Sequence, residues 1–113
     1  MRDSSLYIKD IIKAIDSIEE FIDNISFEEF KNDDLRASAV IRKLEIIGEA
    51  TKKVPNDIKQ RYNNIPWKEM AGMRDKLIHF YFGIKYELIW NAISILRDLK
   101  PILKKIANEQ SKD

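Results

Sequence analysis

The chain has 113 residues, of which 44% are apolar and 35% charged, so it is one domain long and can bury a core, which excludes a disordered chain. It contains no cysteine, which excludes disulfides and thiolate metal sites, and its net charge of +1 excludes a strong undirected pull on polyanions. No run approaches the length of a membrane span, and the opening MRDSSLYIKD does not read as a signal peptide, so a cytoplasmic location is expected. The charge is unevenly placed. Residues 1–34 carry four Lys/Arg against ten Asp/Glu, and residues 35–113 carry sixteen against nine. Such a division can steer an anionic partner to one end of a molecule, although two ordinary solvated helix faces would look the same.

Apolar residues recur at helical spacing nearly throughout. Ile8, Ile11, Ile12, Ile15, Ile18, Ile22 and Ile25 fall on one stripe, which predicts a helix from about Ser4 to Asn24 with Asp3 as its cap. Ser26 and Glu29 in SFEEF have capping-box spacing and predict a short helical turn. Asp33 or Asp34 then caps a long helix ending near Val54. This helix has two apolar faces. One is Ala37, Val40, Ile41, Leu44, Ile47, Gly48 and Thr51; the other is Leu35, Ala39, Ile46 and Ala50. A helix apolar on two sides is central in a bundle or meets a second chain, and Gly48 is suited to the close approach of another backbone.

Pro55 stops the long helix and opens a short one over PNDIKQRYN. NIPWKEM starts another helix, expected to run to Phe82 and to end at Gly83. The last helix is predicted over about Lys85 to Asn108, apolar at Leu88, Ala92, Ile95, Leu96, Leu99, Ile102, Leu103 and Ile106, with a bend at Pro101. Strand-like alternation, repeats and low-complexity segments are absent from the sequence. The expected architecture is a single all-α domain over residues 1–113, an up-and-down bundle of four main helices with one or two short ones.

The segment RDKLIHFY, residues 74–81, holds the only histidine. On a helical wheel Met70, Met73, Leu77, Phe80 and Tyr81 form the core face, with Arg74 at its edge. Asp75 and His79, four apart, lie together on the opposite side. An adjacent carboxylate can orient an imidazole and favour its protonated form, which suits general acid–base work. The plainer reading is an exposed histidine and a buried tyrosine with no task. Arg74 and His79 diverge by about 140° on a regular helix, so a shared target is easier to reach in a groove between two copies of the chain.

RDKLIHFY resembles the R-x4-6-H motif of the HEPN superfamily (higher eukaryotes and prokaryotes nucleotide-binding), and with Tyr81 its R-x4-H-x-Y form resembles the HepT-like toxin branch. PWKEMAGMRDKLIHFYFGI and RKLEIIGEATKKVP are similar to the two recurrent segments of that branch. The resemblance implies a helical homodimer with metal-independent ribonuclease activity at a composite interface site, acting on RNA without a cofactor. It implies that Arg74 and His79 are the catalytic pair and that Asp75, where Asn is commoner, supports them. Tyr81 would be the residue to which a cognate minimal nucleotidyltransferase antitoxin adds AMP. Lys85 stands where an acidic or amide helix cap is usual.

Two alternatives remain at this point. One is a non-catalytic nucleotide-binding or substrate-presenting partner of such a nucleotidyltransferase; the other is a helical dimerisation protein without a ligand. A metal site is not expected from one histidine and no cysteine. Trp67, Trp90 and Tyr86 could stack on bases, but on apolar helix stripes they read as core.

Overall fold

The computed structural model describes residues 3–77 and 85–111. All of its regular structure among these residues is helical: α1 (Ser4–Phe21), α2 (Phe27–Lys31), α3 (Asp34–Lys53), α4 (Asn56–Arg61), α5 (Trp67–Ala71), a helical run at 73–77 termed α6, and α7 (Tyr86–Gln110). The three long helices are α1, α3 and α7. The expected fourth main helix is represented by α5 and α6, and its remaining part, including Gly83, lies outside the described residues.

The helix starts follow from local chemistry. The Ser5 backbone N–H donates to Asp3 Oδ1 at 3.0 Å, capping α1. At α2 the capping box is complete: Glu29 N–H donates to Ser26 Oγ at 3.1 Å, and Ser26 N–H donates to Glu29 Oε1 at 3.2 Å. Asp33, rather than Asp34, caps α3, accepting from the Arg36 N–H at 3.0 Å and from the Arg36 side chain at 2.9 Å. Arg36 also donates to the Phe21 carbonyl, tying the start of α3 to the end of α1. Helix α1 stops at Phe21, three residues before the predicted end, and Asn24 turns the chain with a φ of 60°. Asparagine visits this left-handed region more readily than most residues.

The core is built from the predicted stripes of α1 and α3. Ile8, Ile11, Ile15 and Ile18 of α1 pack with Val40, Leu44 and Ile47 of α3, all essentially inaccessible to water. Each such side chain contributes about 1.5–3 kcal/mol relative to exposure. Thr51 is buried too, and its hydroxyl donates to the Ile47 carbonyl at 2.7 Å. Helix α3 is central, packing on α1, α2 and α5. Its second predicted face divides: Ala50 is buried, Ile46 and Ala39 are half-buried, and Leu35 is exposed.

Helix α7 runs back along α1. At its start, Tyr86 and Trp90 pack on Phe30, with ring centroids 6.1 and 5.0 Å away. In its middle, Lys100 bonds Asp16 and, at 2.6 Å, Glu19. At its end, Tyr62 donates to Glu109. The buried stripe of α7 is Ile89, Ile93, Leu96, Leu103 and Ile106. This corrects the expectation that Leu88 and Ile95 face inward; both are exposed, and Ala92 beside them is half-buried. Over its first turns the buried side is shifted by one position, to Ile89 and Ile93, on the side where Tyr86 and Trp90 meet Phe30. The helix continues unbroken across Pro101.

One further expectation changes, and the expected start of the last helix holds. The helix begun at Pro66 is interrupted by a turn at Gly72, where α5 closes through the Gly72 N–H to the Lys68 carbonyl at 3.0 Å. Helical bonding resumes at once, with Lys76 N–H donating to the Gly72 carbonyl at 3.2 Å. Lys85 precedes α7 without any side-chain cap, yet its carbonyl accepts from Leu88 N–H at 3.1 Å, and α7 begins at Tyr86 regardless.

Candidate active site

Arg74 lies on α6, two residues after Gly72, and its position is set by α3. A Cβ placed on Gly48 would stand 3.4 Å from the Arg74 nitrogen and 3.4 Å from the Met70 carbonyl oxygen. A small residue at 48 thus lets the backbone of α5 and α6 rest close on α3, and the backbone it meets belongs to the same chain. One residue further along, Glu49 Oε1 accepts from Arg74 Nη1 at 2.9 Å. Lys52 stands 4.0 Å from the same oxygen. Arg74 draws the Glu49 carboxyl below its ordinary value, chiefly through that hydrogen bond.

The pair is open to water, with the Arg74 side chain 51% and the Glu49 side chain 45% exposed. An ion pair so exposed to water is weak. It fixes a direction for the guanidinium without locking it, and the remaining guanidinium N–H groups stay available to an incoming phosphate. Met70 and Leu77 are buried beneath, while Met73 is half-buried, so the apolar side of this segment is the core face that the wheel predicts. Asp75 is exposed on the other side. His79 and Tyr81 lie outside the described residues.

Glu49 and this segment each line a cleft. One, of about 390 Å³, runs between α1 and α3 and is walled by Lys13, Arg42, Lys43, Lys53 and Glu49 among others. The other, of about 310 Å³, lies between α5–α6 and the first half of α7, and is lined by Met73, Leu77, Leu88 and Ile95. The aromatic residues considered for base stacking have structural partners instead. Trp67 is buried with its indole N–H donating to the Tyr62 carbonyl at 3.0 Å, and Trp90 packs on Phe27 and Phe30. Among the described residues no group of three or more His, Cys, Asp or Glu could hold a metal ion. No described helix is long and apolar enough to cross a membrane.

Glu49 was not singled out from sequence. Its signal was present: an acidic residue directly after the glycine of IIGEATKK, on the helix expected to meet another backbone.

The family described as Ribonuclease HepT-like matches residues 11–106, nearly the whole chain and every element named above except the start of α1 and the end of α7. The chain belongs to the HepT-like ribonuclease family. Among its HepT-like relatives, a protein of Thermococcus cleftensis named "Probable ribonuclease HepT" is 54% identical over 87 residues, covering 77% of this chain and 79% of that protein. An RNase candidate of Methanocaldococcus jannaschii is 44% identical over 110 residues, covering 93% and 91%. Another, from Caldanaerobacter subterraneus, is 42% identical over 100 residues, covering 88% of each chain. No solved structure gives a significant match.

Proposed function

We propose that this HepT-like chain is an endoribonuclease that cleaves RNA without a metal, and that it serves as the toxin of a toxin–antitoxin pair. The observation that carries the reading is Arg74, held on an exposed helix face by Gly48 and Glu49 at the head of an R-x4-H segment. A guanidinium so placed can hold a phosphate through paired N–H donors and stabilise the charge that gathers on its oxygens.

In the proposed reaction the ribose 2′-oxygen attacks phosphorus and the bond to the 5′-oxygen breaks. His79 accepts the 2′ proton or delivers one to the departing 5′-oxygen, and Asp75 orients its ring. The products are a 2′,3′-cyclic phosphate and a 5′-hydroxyl. The nucleophile is part of the substrate, so no metal is required, and DNA resists because it lacks the 2′-hydroxyl.

The active unit is proposed to be a homodimer whose two copies share one groove. The apolar cleft lined by Met73, Leu77, Leu88 and Ile95 supports this, because Leu88 and Ile95 stay exposed when α7 packs on α1. Tyr81 is proposed as the switch. AMP added there by a minimal nucleotidyltransferase brings a phosphate charge and a base into the same segment and competes with RNA for Arg74.

The deciding experiment is RNA cleavage in the presence of a chelator, with end-group analysis of the products. Arg74→Ala and His79→Ala should each lower the rate by about 10²- to 10⁴-fold without loss of helicity. Cleavage at the wild-type rate by His79→Ala would refute the assignment and leave the non-catalytic, nucleotide-binding partner as the reading.

A further inference from the structure

We infer that the cleft between α1 and α3 is a binding track for the phosphate backbone of single-stranded RNA, leading to Arg74. The inference takes its substrate class from the ribonuclease reading above. The walls follow two helices at regular spacing. Tyr7, Asp10, Lys13, Ala14 and Ser17 come from α1, and Arg42, Lys43, Ile46, Glu49, Ala50 and Lys53 from α3. On α3 these residues extend over roughly 16 Å along the helix axis, long enough for an extended strand to run along the cleft rather than for a single anion to sit in it.

The charge favours an anion. Lys13, Arg42, Lys43 and Lys53 face Asp10 and Glu49, and the Glu49 carboxylate is already shared by Arg74 and Lys52. Among the described residues none of the four basic side chains forms an ion pair, so none must give up a salt bridge to meet a phosphate. Lys13, Arg42 and Lys53 are exposed and remain hydrated, which keeps the penalty for binding small. Ala14, Ile46 and Ala50 between them offer an apolar floor for sugars and bases. Glu49 joins the track to the candidate chemistry, since it lines the cleft and holds the Arg74 guanidinium at 2.9 Å.

The test uses the full chain and a fluorescent single-stranded oligoribonucleotide methylated at every 2′-oxygen, which cannot be cleaved by internal attack. Binding is followed by anisotropy over a salt series. Reversing Lys13, Lys43 and Lys53 to Glu should raise Kd by at least about tenfold and flatten the salt dependence by about two units of log–log slope. Reversing Lys104 and Lys105, which are exposed on α7, serves as the charge control and should have a much smaller effect. Equal losses in the two variants, or no loss in the first, would overturn the inference. So would tighter binding of ATP than of the oligonucleotide, since the cleft would then be a mononucleotide site. If the wild type binds through the cleft but cleaves no RNA, the catalytic reading fails while the track stands. If it cleaves RNA and the cleft variant binds and cleaves like wild type, the track fails alone.

Discussion

Arg74 Nη1 and Glu49 Oε1 meet at 2.9 Å, one residue beyond the point where the Arg74 backbone rests on Gly48. A guanidinium proposed for phosphate binding is thus positioned from a helix that is distant in sequence. Glu49→Ala should release it. The cleavage rate constant is expected to fall about three- to tenfold, because a mispositioned donor loses part of its transition-state contact. RNA affinity should stay the same or rise, because a negative charge leaves the cleft. Single-turnover cleavage and a separate binding measurement check this; a fall in affinity with an unchanged rate constant would contradict the positioning role.

Gly48 sets a steric limit. Alanine there would touch the Met70 carbonyl and the Arg74 nitrogen at ordinary contact distance, and it favours helix by about 1 kcal/mol over glycine. Gly48→Ala should therefore fold with stability within about 1 kcal/mol of wild type and remain active. Gly48→Leu should cost about 1–3 kcal/mol and lose most activity, because its side chain displaces the backbone that carries Arg74. Denaturant melts and cleavage assays on the two variants test the contrast.

The Glu49 titration gives a pH test. Its carboxyl is held below the ordinary value of 4.5, first by the hydrogen bond from Arg74 and then by the nearby lysines. A lowered carboxyl pKa contributes stability above the unfolded value, and that contribution is lost as pH falls through the folded value. The side-chain carbon of Glu49, followed by NMR, should titrate with a midpoint below 4.5, and Arg74→Ala should move the midpoint upward. No movement on removing Arg74 would mean that the pair does not form in solution.

Phe30 anchors α2 against α7 through its contacts with Tyr86 and Trp90, and it is fully buried. Phe30→Ala should destabilise the fold by about 3–5 kcal/mol, read from denaturant unfolding. A loss below about 1 kcal/mol would show that the α2–α7 contact contributes little.

Tyr81→Phe should leave RNA cleavage intact while abolishing AMP addition by a cognate nucleotidyltransferase. Mass spectrometry of the chain after incubation with that enzyme and ATP would show the difference. AMP found on another residue of a silenced chain would remove Tyr81 from the proposed switch.

The helices were legible wherever a stripe and a cap agreed. Asp3, Ser26 with Glu29, and Asp33 each mark a helix start, and the isoleucines of α1 mark its buried side. The setting of α7 was legible in its second half, where Leu96, Leu103 and Ile106 are buried, but not in its first turns. Leu88, Ala92 and Ile95 form as good an apolar stripe as Ile89, Ile93 and Leu96, and the choice between them depends on Phe30, a residue from another helix. The turn at Gly72 was missed because the apolar pattern continues across it. At the site, Arg74 could be named from its motif. Glu49 could not, because its partnership exists only once Gly48 has brought two distant segments into contact.

Helix α3 serves as one wall of the basic cleft and as the seat of Arg74. In the proposed arrangement a strand that draws Lys53 toward itself tugs on the same turn that carries Glu49 and aims the guanidinium. On the proposed reading grip and cutting geometry meet on a single helical turn, and Glu49→Ala, which slows cutting while sparing grip, is the substitution that separates them.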